Sequence, residues 1–359
     1  MDLEKSHYTI AVIPGDGIGP EIIQVATAIL QQVASDGDLT FQLTTVEAGA
    51  ETYQKYGDAL PSESLARCKQ ADAIFKGPTG LPDVRLPDGT EAGVLGGRFR
   101  NGLDLYVNLR PIKLYPNVPT ALANRQPGDI DWVMIRENTE GLYASRGNGV
   151  VATSGQAATD TLMITRAGSE RIIRYAFEEA RRRNGQKRVT CVDKSNVLRS
   201  FAFFRQIFKE IAQDYPDIET DFLYVDAAAQ AIVLEPQRFD VMVTENMFGD
   251  ILSDLGGATI GGVGVCAGTN IGANYAYFEP IHGSAPGLAG KGVANPLSAI
   301  LAVRLMLEYL NQPTVAARLE RAIEQAFINK DIILSPDGSA ENGTEAIAEA
   351  ISRQLAKTH

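Results

Sequence analysis

The chain has 359 residues, 45% of them hydrophobic and 21% charged, which suits one large α/β unit or two medium domains and excludes a disordered or fibrous chain. Its 44 acidic against 33 basic residues give a formal net charge of −11, which disfavours nucleic acid and anionic membranes as partners while leaving room for a local basic pocket. Three cysteines (Cys68, Cys191, Cys266) without metal-type spacing, a start without a signal-peptide core and no apolar run near the roughly 20 residues of a membrane span point to a reduced, cytoplasmic protein.

In chain order, short β-rich runs alternate with helical stripes. Residues 8–13 read as a strand buried on both faces, and residues 21–34 follow with Ile22, Val25, Ala26, Ile29, Leu30 and Val33 at helical spacing. Residues 71–76 and 130–135 read as further strands, then 166–183 as a helix, 188–193 as a strand and 201–213 as a helix. Residues 221–225 and 241–244 are the last predicted strands, and the C-terminal third adds helical patterns at 296–310, 315–329 and 344–357. The alternation predicts an α/β architecture with a largely parallel sheet. Residues 147–165 stand apart: Gly-, Ser- and Thr-rich, then β-branched, they suit a protruding hairpin that clasps a partner subunit or a plain surface loop.

Between the first strand and helix lies Ile13-Pro-Gly-Asp-Gly-Ile-Gly-Pro-Glu21. It does not keep the G-x-G-x-x-G spacing of a dinucleotide fingerprint, and no acidic residue caps a second strand at the expected distance. It reads instead as a tight turn with Pro20 in the first turn of a helix, where a missing N–H costs nothing.

Chemistry concentrates in three places. With only three histidines (His7, His282, His359), acid–base work falls to Lys, Tyr and carboxylates. Arg98, Arg100 and Arg110 lie in one largely apolar stretch, and Arg136 ends the strand before Tyr143. Any one of these is an ordinary surface or ion-pair arginine; several converging at strand ends would grip a substrate with two carboxylates through their planar forks. Asp250 and Asp254 are four apart after a buried run, so a helix places both on one face, where a divalent cation would relieve their repulsion. Helix capping is the alternative for that pair, and Asp226 supplies a third carboxylate. Lys194 follows a buried strand, where desolvation and nearby cations can make an amine a base.

Taken together, seven ordered blocks resemble the β-decarboxylating dehydrogenases, the family of isopropylmalate, isocitrate, homoisocitrate, tartrate and D-malate dehydrogenases. They are residues 13–21, Asn108-Leu-Arg-Pro111, Arg136-Glu-Asn-Thr-Glu-Gly-Leu-Tyr143, Asp193-Lys-Ser-Asn-Val197, Asp226-Ala, Gly249-Asp-Ile-Leu-Ser-Asp254 and Glu279-Pro-Ile-His-Gly-Ser-Ala-Pro286. The resemblance implies a two-domain isocitrate/isopropylmalate dehydrogenase-like α/β fold that is not a Rossmann fold. Residues 1–105 with 264–359 would form the cofactor domain, and 106–263 the dimerisation and metal domain with its clasp at 147–165.

It also implies roles. Arg100, Arg110 and Arg136 would hold the substrate carboxylates, with Asn196 and the pair Val94–Leu95 contributing to substrate binding. Asp250 and Asp254 of one subunit and Asp226 of the other would hold Mg²⁺ or Mn²⁺; Lys194, also from the other subunit, would be the base, and Tyr143 the acid. His282, Gly283, Ser284, Ala285, Asn295 and Glu279 would bind the cofactor. The implied activity is oxidative decarboxylation of a malate-type 2-hydroxy diacid by a homodimer, with an isocitrate-type substrate or a non-catalytic regulatory subunit as alternatives.

Two departures bear on specificity. Gly287 stands where NAD-dependent relatives carry Asp and NADP-dependent isocitrate relatives carry Lys; the missing cation favours NAD, with NADP possible. Val94 and Leu95 follow Glu91 as in the isopropylmalate pattern, although Gly96-Gly97-Arg98 lengthens the path to Arg100. An apolar pair disfavours a charged C3 substituent, because an unpaired buried carboxylate is costly, so the expected substrate is a 3-alkylmalate such as 3-isopropylmalate, or D-malate or tartrate, in preference to isocitrate or homoisocitrate.

Overall fold

The structure is a computed structural model and describes residues 5–35, 39–87 and 89–357, so His359 lies outside it. Its strands are β1 (His7–Ile13), β2 (Thr40–Thr45), β3 (Ala73–Lys76), β4 (Val107–Lys113), β5 (Asp131–Glu137), β6 (Val150–Val151), β7 (Ala158–Thr159), β8 (Arg188–Asp193), β9 (Glu219–Tyr224), β10 (Val241–Thr244), β11 (Ala267–Ile271) and β12 (Ala276–Pro280). The helices are α1 (Gly19–Ser35), α2 (Ala50–Tyr56), α3 (Ser62–Gln70), α4 (Gly96–Gly102), α5 (Arg166–Arg183), α6 (Arg199–Ala212), α7 (Val225–Leu234), α8 (Asn246–Ala258), α9 (Leu297–Tyr309), α10 (Pro313–Ile328) and α11 (Thr344–Leu355).

One ten-stranded sheet runs through the molecule in the order β2-β1-β3-β12-β11-β4-β5-β10-β8-β9. Both flanks are parallel, as the alternation of strand and helix predicts. The centre is not: β12–β11, β11–β4 and β4–β5 are antiparallel. For β12–β11 the cause is local, since the two are joined by the short turn 272–275, closed by Gly272 N–H donating to the Tyr275 carbonyl at 2.8 Å, and so short a connection forces antiparallel pairing.

Strand alternation buries both faces. On β5, Trp132 and Met134 join an apolar cluster with Phe239, Leu252 and the helices α1, α9, α10 and α11, whereas Val133 and Ile135 join Ile172, Phe177, Phe204 and Phe208 of α5 and α6 on the other face. A third cluster beneath α2, α3 and α4 holds Leu95, Phe99 and Tyr277.

The turn after β1 is built as expected. Gly15 (φ +81°) and Gly17 (φ +61°) take left-handed conformations, and a Cβ on Gly15 would lie 2.1 Å from the Pro78 carbonyl oxygen. Gly19 and Pro20 then open α1. Between the two glycines the buried Asp16 carboxylate accepts backbone N–H groups from Ala50 (2.8 Å), Glu51 (3.0 Å) and Gly80 (2.7 Å). Within 147–165, β6 and β7 form a two-stranded antiparallel hairpin with Val150 and Val151 exposed. Val225, read from the sequence as the end of a strand, opens α7 instead, which puts Asp226 in a helix first turn.

Candidate active site

The site grows from the antiparallel centre of the sheet. Asn108 pairs with Arg136 across β4 and β5, and Arg110 shares the face of Asn108 two residues on. Helix α8 leaves β10 at the same level, its N-terminus capped by Glu245, whose carboxylate accepts the Phe248 N–H at 2.7 Å and the Met247 N–H at 3.1 Å. Arg136 reaches α8 because position 249 is glycine: a Cβ there would stand 2.6 Å from its Cγ.

These elements bring six predicted residues together. Arg136, 1% exposed, donates to Asn246 Oδ1 at 3.0 and 2.7 Å and to Asp250. Arg110 donates to Asp254 at 3.0 Å, to Ser253 Oγ at 2.8 Å and to Asn108 Oδ1 at 2.8 Å, and lies 3.3 Å from Asp250. The Tyr143 hydroxyl donates to Asp250 Oδ2 at 3.1 Å, with the Arg136 guanidinium 5.7 Å from its ring centroid. Arg100, on α4, faces the same group, and its buried Nε has no partner.

The electrostatics follow from crowding like charges. Burial, then the neighbouring Arg100 and Arg110 charges, push Arg136 down, so the three guanidiniums gain from an anion placed among them. Burial alone would raise Asp250, but Arg136 and Arg110 hold it below the ordinary carboxylate range. Burial and the Asp250 charge raise Tyr143, which keeps its proton. Behind them Lys76 and Glu279 form a buried ion pair at 2.8 Å, and Asn270 donates to Glu279 at 3.0 Å.

A second group lies elsewhere. Lys194, in the loop after β8, pairs with Asp226 of α7, and their side chains are 27% and 69% exposed. Asp193 anchors that loop, accepting the Ser195 N–H at 2.8 Å and both nitrogens of the Arg205 fork at 2.6 and 3.0 Å. Asn196 is exposed beside it. Among the described residues no three His, Cys, Asp or Glu side chains gather to hold a metal, so Asp226 does not meet Asp250 and Asp254 within one chain.

The remaining predicted residues divide. His282 and Asn295 each hold a buried nitrogen without a partner, Nε2 and Nδ2, which a nucleotide base could satisfy; burial also pushes the His282 pKa down. Gly283, Ala285 and Gly287 lie exposed in the same loop, but the Ser284 hydroxyl is engaged, donating to the Gly80 carbonyl at 2.5 Å. Glu279 is likewise occupied by Lys76 and Asn270. One expectation is overturned: Leu95 is not half of an apolar pair facing substrate. It is 1% exposed in the cluster with Phe99, while Val94 is 47% exposed, because the chain turns into α4 here.

Comparison with known proteins agrees with this picture. The family model described as isocitrate/isopropylmalate dehydrogenase matches residues 9–351. The chain belongs to that family. The 3-isopropylmalate dehydrogenase of Thermobifida fusca is 42% identical over 356 residues, covering 97% of this chain and 98% of that one. That of Aquifex aeolicus is 40% identical over 97% of both. Among solved structures, an isocitrate dehydrogenase from Methylococcus capsulatus superposes with a TM-score of 0.86 at 40% identity, covering 97% of this chain and 99% of that one. A β-decarboxylating dehydrogenase from Thermococcus kodakarensis gives 0.80 at 35% identity, covering 98% and 96%.

Members of this family are oxidoreductases, so the isocitrate/isopropylmalate dehydrogenase fold and the enzyme class stand. Sequence reading missed Asn246 and Ser253, which brace the arginines, the buried Lys76, and Arg146, whose guanidinium lies 5.8 Å from the Tyr143 ring centroid. The spacing of Ser253 beside Asp254 on one helix could have flagged it; Lys76 and Arg146 carry no pattern signal.

Proposed function

We propose that the chain is an NAD-dependent, divalent-metal-requiring dehydrogenase that oxidises and decarboxylates a malate-type 2-hydroxy diacid. The observation that carries this reading is the convergence of Arg110 and Arg136 on two carboxylates of one helix, with the Arg100 charge beside them and a protonated Tyr143. The arginines would take the two substrate carboxylates by bidentate contacts. Asp250 and Asp254, with Asp226 of a second copy, offer the oxygen donors that Mg²⁺ or Mn²⁺ prefers. The chemistry such a cation supplies is Lewis acidity at the C2 oxygen.

Lys194 of the second copy would remove the C2 hydroxyl proton, and the chemistry a bound nicotinamide would supply is acceptance of the C2 hydride. The C3 carboxylate then leaves as CO₂, and Tyr143 delivers a proton to C3. The unpartnered nitrogens of His282 and Asn295 fit an adenine edge, and the exposed backbone at Gly283 and Ala285 fits the ribose and phosphates. Gly287 offers no cation for a 2′-phosphate, which supports NAD. On this reading the unit is a homodimer, residues 1–105 with 264–359 carry the cofactor, residues 106–263 carry metal and dimer contacts, the 147–165 hairpin clasps the neighbour, and the cytoplasm is its place. No helix among the described residues is long and apolar enough to cross a membrane.

The names of the sequence relatives favour 3-isopropylmalate as substrate, while the Methylococcus neighbour favours isocitrate as the second reading. The test is a screen of 3-isopropylmalate, D-malate, tartrate and isocitrate with Mn²⁺ and each cofactor. NADH formation coupled to CO₂ release and abolished by chelator supports the proposal. Oxidation without CO₂ release, or no metal-dependent turnover by the purified chain, overturns it, the latter in favour of a regulatory subunit.

A further inference from the structure

A cleft of about 310 Å³ opens beside Tyr143, and its lining includes Val94, Arg100, Asn101, Arg146 and Asn148. Much of its polar lining is engaged elsewhere. Arg98 pairs with Asp58 and donates to the Leu60 carbonyl at 3.1 Å. Asn246 accepts from Arg136 and donates to the Glu140 carbonyl at 3.0 Å; Asn138 donates to the Leu105 carbonyl and to Asn270 Oδ1, both at 2.9 Å.

Arg146 differs from all of these. It is exposed and reaches into the cleft over the Tyr143 ring, and among the described residues no carboxylate stands against its guanidinium. The apolar contribution to this wall is thin. Leu95 faces the core, so of the pair at 94–95 only Val94 borders the cleft.

We propose that Arg146 is a specificity-determining residue that reads the C3 substituent of the diacid and favours one ending in a hydrogen-bond acceptor, a carboxylate or a hydroxyl, over a branched alkyl group. The inference rests on the reading above that the diacid lies here with C3 facing Tyr143; Arg146 covers the ring of that same tyrosine, so its fork stands on the C3 side. An alkyl group pressed against a guanidinium strips water from the charge and returns no hydrogen bond. A carboxylate or hydroxyl replaces that water, and a carboxylate can do so bidentately. Asn101 and Asn148, which line the same cleft, carry side-chain amides that can add neutral donors to either group.

The experiment compares kcat/KM for isocitrate, tartrate, 3-isopropylmalate and D-malate in the wild type, Arg146→Leu and Arg146→Lys. D-malate, with no C3 substituent, is the internal reference. In Arg146→Leu the ratio of isocitrate or tartrate to D-malate is expected to fall about tenfold or more, with the 3-isopropylmalate ratio held or raised. Arg146→Lys should recover part of the tartrate ratio and less of the isocitrate ratio, because an ammonium cannot bind a carboxylate bidentately. A larger loss on isocitrate identifies the acceptor as a carboxylate, and a larger loss on tartrate as a hydroxyl. Equal losses on all four substrates would overturn the inference, as would a wild type that prefers 3-isopropylmalate with ratios unmoved by either variant. Turnover of none of the four would remove the functional reading itself, and this inference with it.

Discussion

The arginine–aspartate group and the Lys194–Asp226 pair are both clusters of opposite charge, but they are built to different standards. In the first, Arg136 and Arg110 are buried, each held by several partners, and the carboxylates they meet come from a rigid helix face. In the second, a partly exposed lysine and an exposed aspartate meet at the rim of a loop and a helix first turn. The contrast teaches that one half of the proposed site is preorganised within the chain, while the other half leaves its lysine and aspartate at the surface, the placement that the proposed contribution to a second copy requires. Preorganised charge needs little rearrangement on binding, so the first half sets affinity and orientation. The outward half can be added by docking.

The sharpest way to break this comparison is to remove one charge from each half. Lys194→Met should lower kcat by about 10²- to 10⁴-fold, the scale of a lost general base, with a melting temperature equal to that of the wild type because the pair it leaves is exposed. Retained kcat would remove Lys194 from the mechanism. Arg136→Met should lower activity as steeply and also destabilise by about 1–3 kcal/mol, since it leaves the buried Asn246 Oδ1 without its donor while Asp250 keeps Arg110 and Tyr143; a denaturant titration matching the wild type would contradict the preorganised half.

Mixing the two halves sharpens it further. Lys194→Met and Asp250→Asn homodimers, each inactive, should on subunit exchange regain about a quarter of wild-type activity, because half the dimers are mixed and each holds one intact site. No recovery after demonstrated exchange would mean that each chain completes its own site.

A milder effect is expected with pH. Burial alone would raise Glu279, but Lys76 and Arg100 hold it below its ordinary value of 4.5. The folded pKa is depressed, so the stability this pair gives is complete above pH 4.5 and is lost as pH falls through the lower folded value. Glu279→Gln should therefore be destabilised at neutral pH, and its deficit against the wild type should shrink below pH 4.5. A deficit constant across that range would show that the pair is not the source. The smallest effect concerns the cofactor, because a side chain added at Gly287 would meet only open space. Gly287→Asp should lower the KM for NAD by several-fold, about one hydrogen bond, and an unchanged KM would separate this loop from the ribose.

Much of this was legible in one dimension, and the reasons for the rest are specific. The strands at β1, β8 and β10 and the helices α1, α5 and α9 follow from apolar runs and stripes that packing respects. Asp250 and Asp254 share a helix face because their spacing is helical. The central strands β11 and β12 escaped because their runs are short, interrupted by Gly268, and broken by the polar Asn270 and Glu279, which face the charged site and erase the alternation. Leu95 was misread for the opposite reason: its hydrophobicity was visible, but which way it pointed depended on where α4 begins, and two glycines hide that boundary.

The Asp16 carboxylate has a consequence for the chain around it. Three backbone donors from two remote segments terminate on its oxygens, two of them on Oδ2 alone. An asparagine is nearly the same size, yet if its amide nitrogen took the Oδ2 position it would set donor against donor at both contacts, and the reverse flip would repeat the conflict with Glu51. The knot that ties the first turn to α2 and to the stretch after β3 thus tolerates an acid and rejects its isosteric amide.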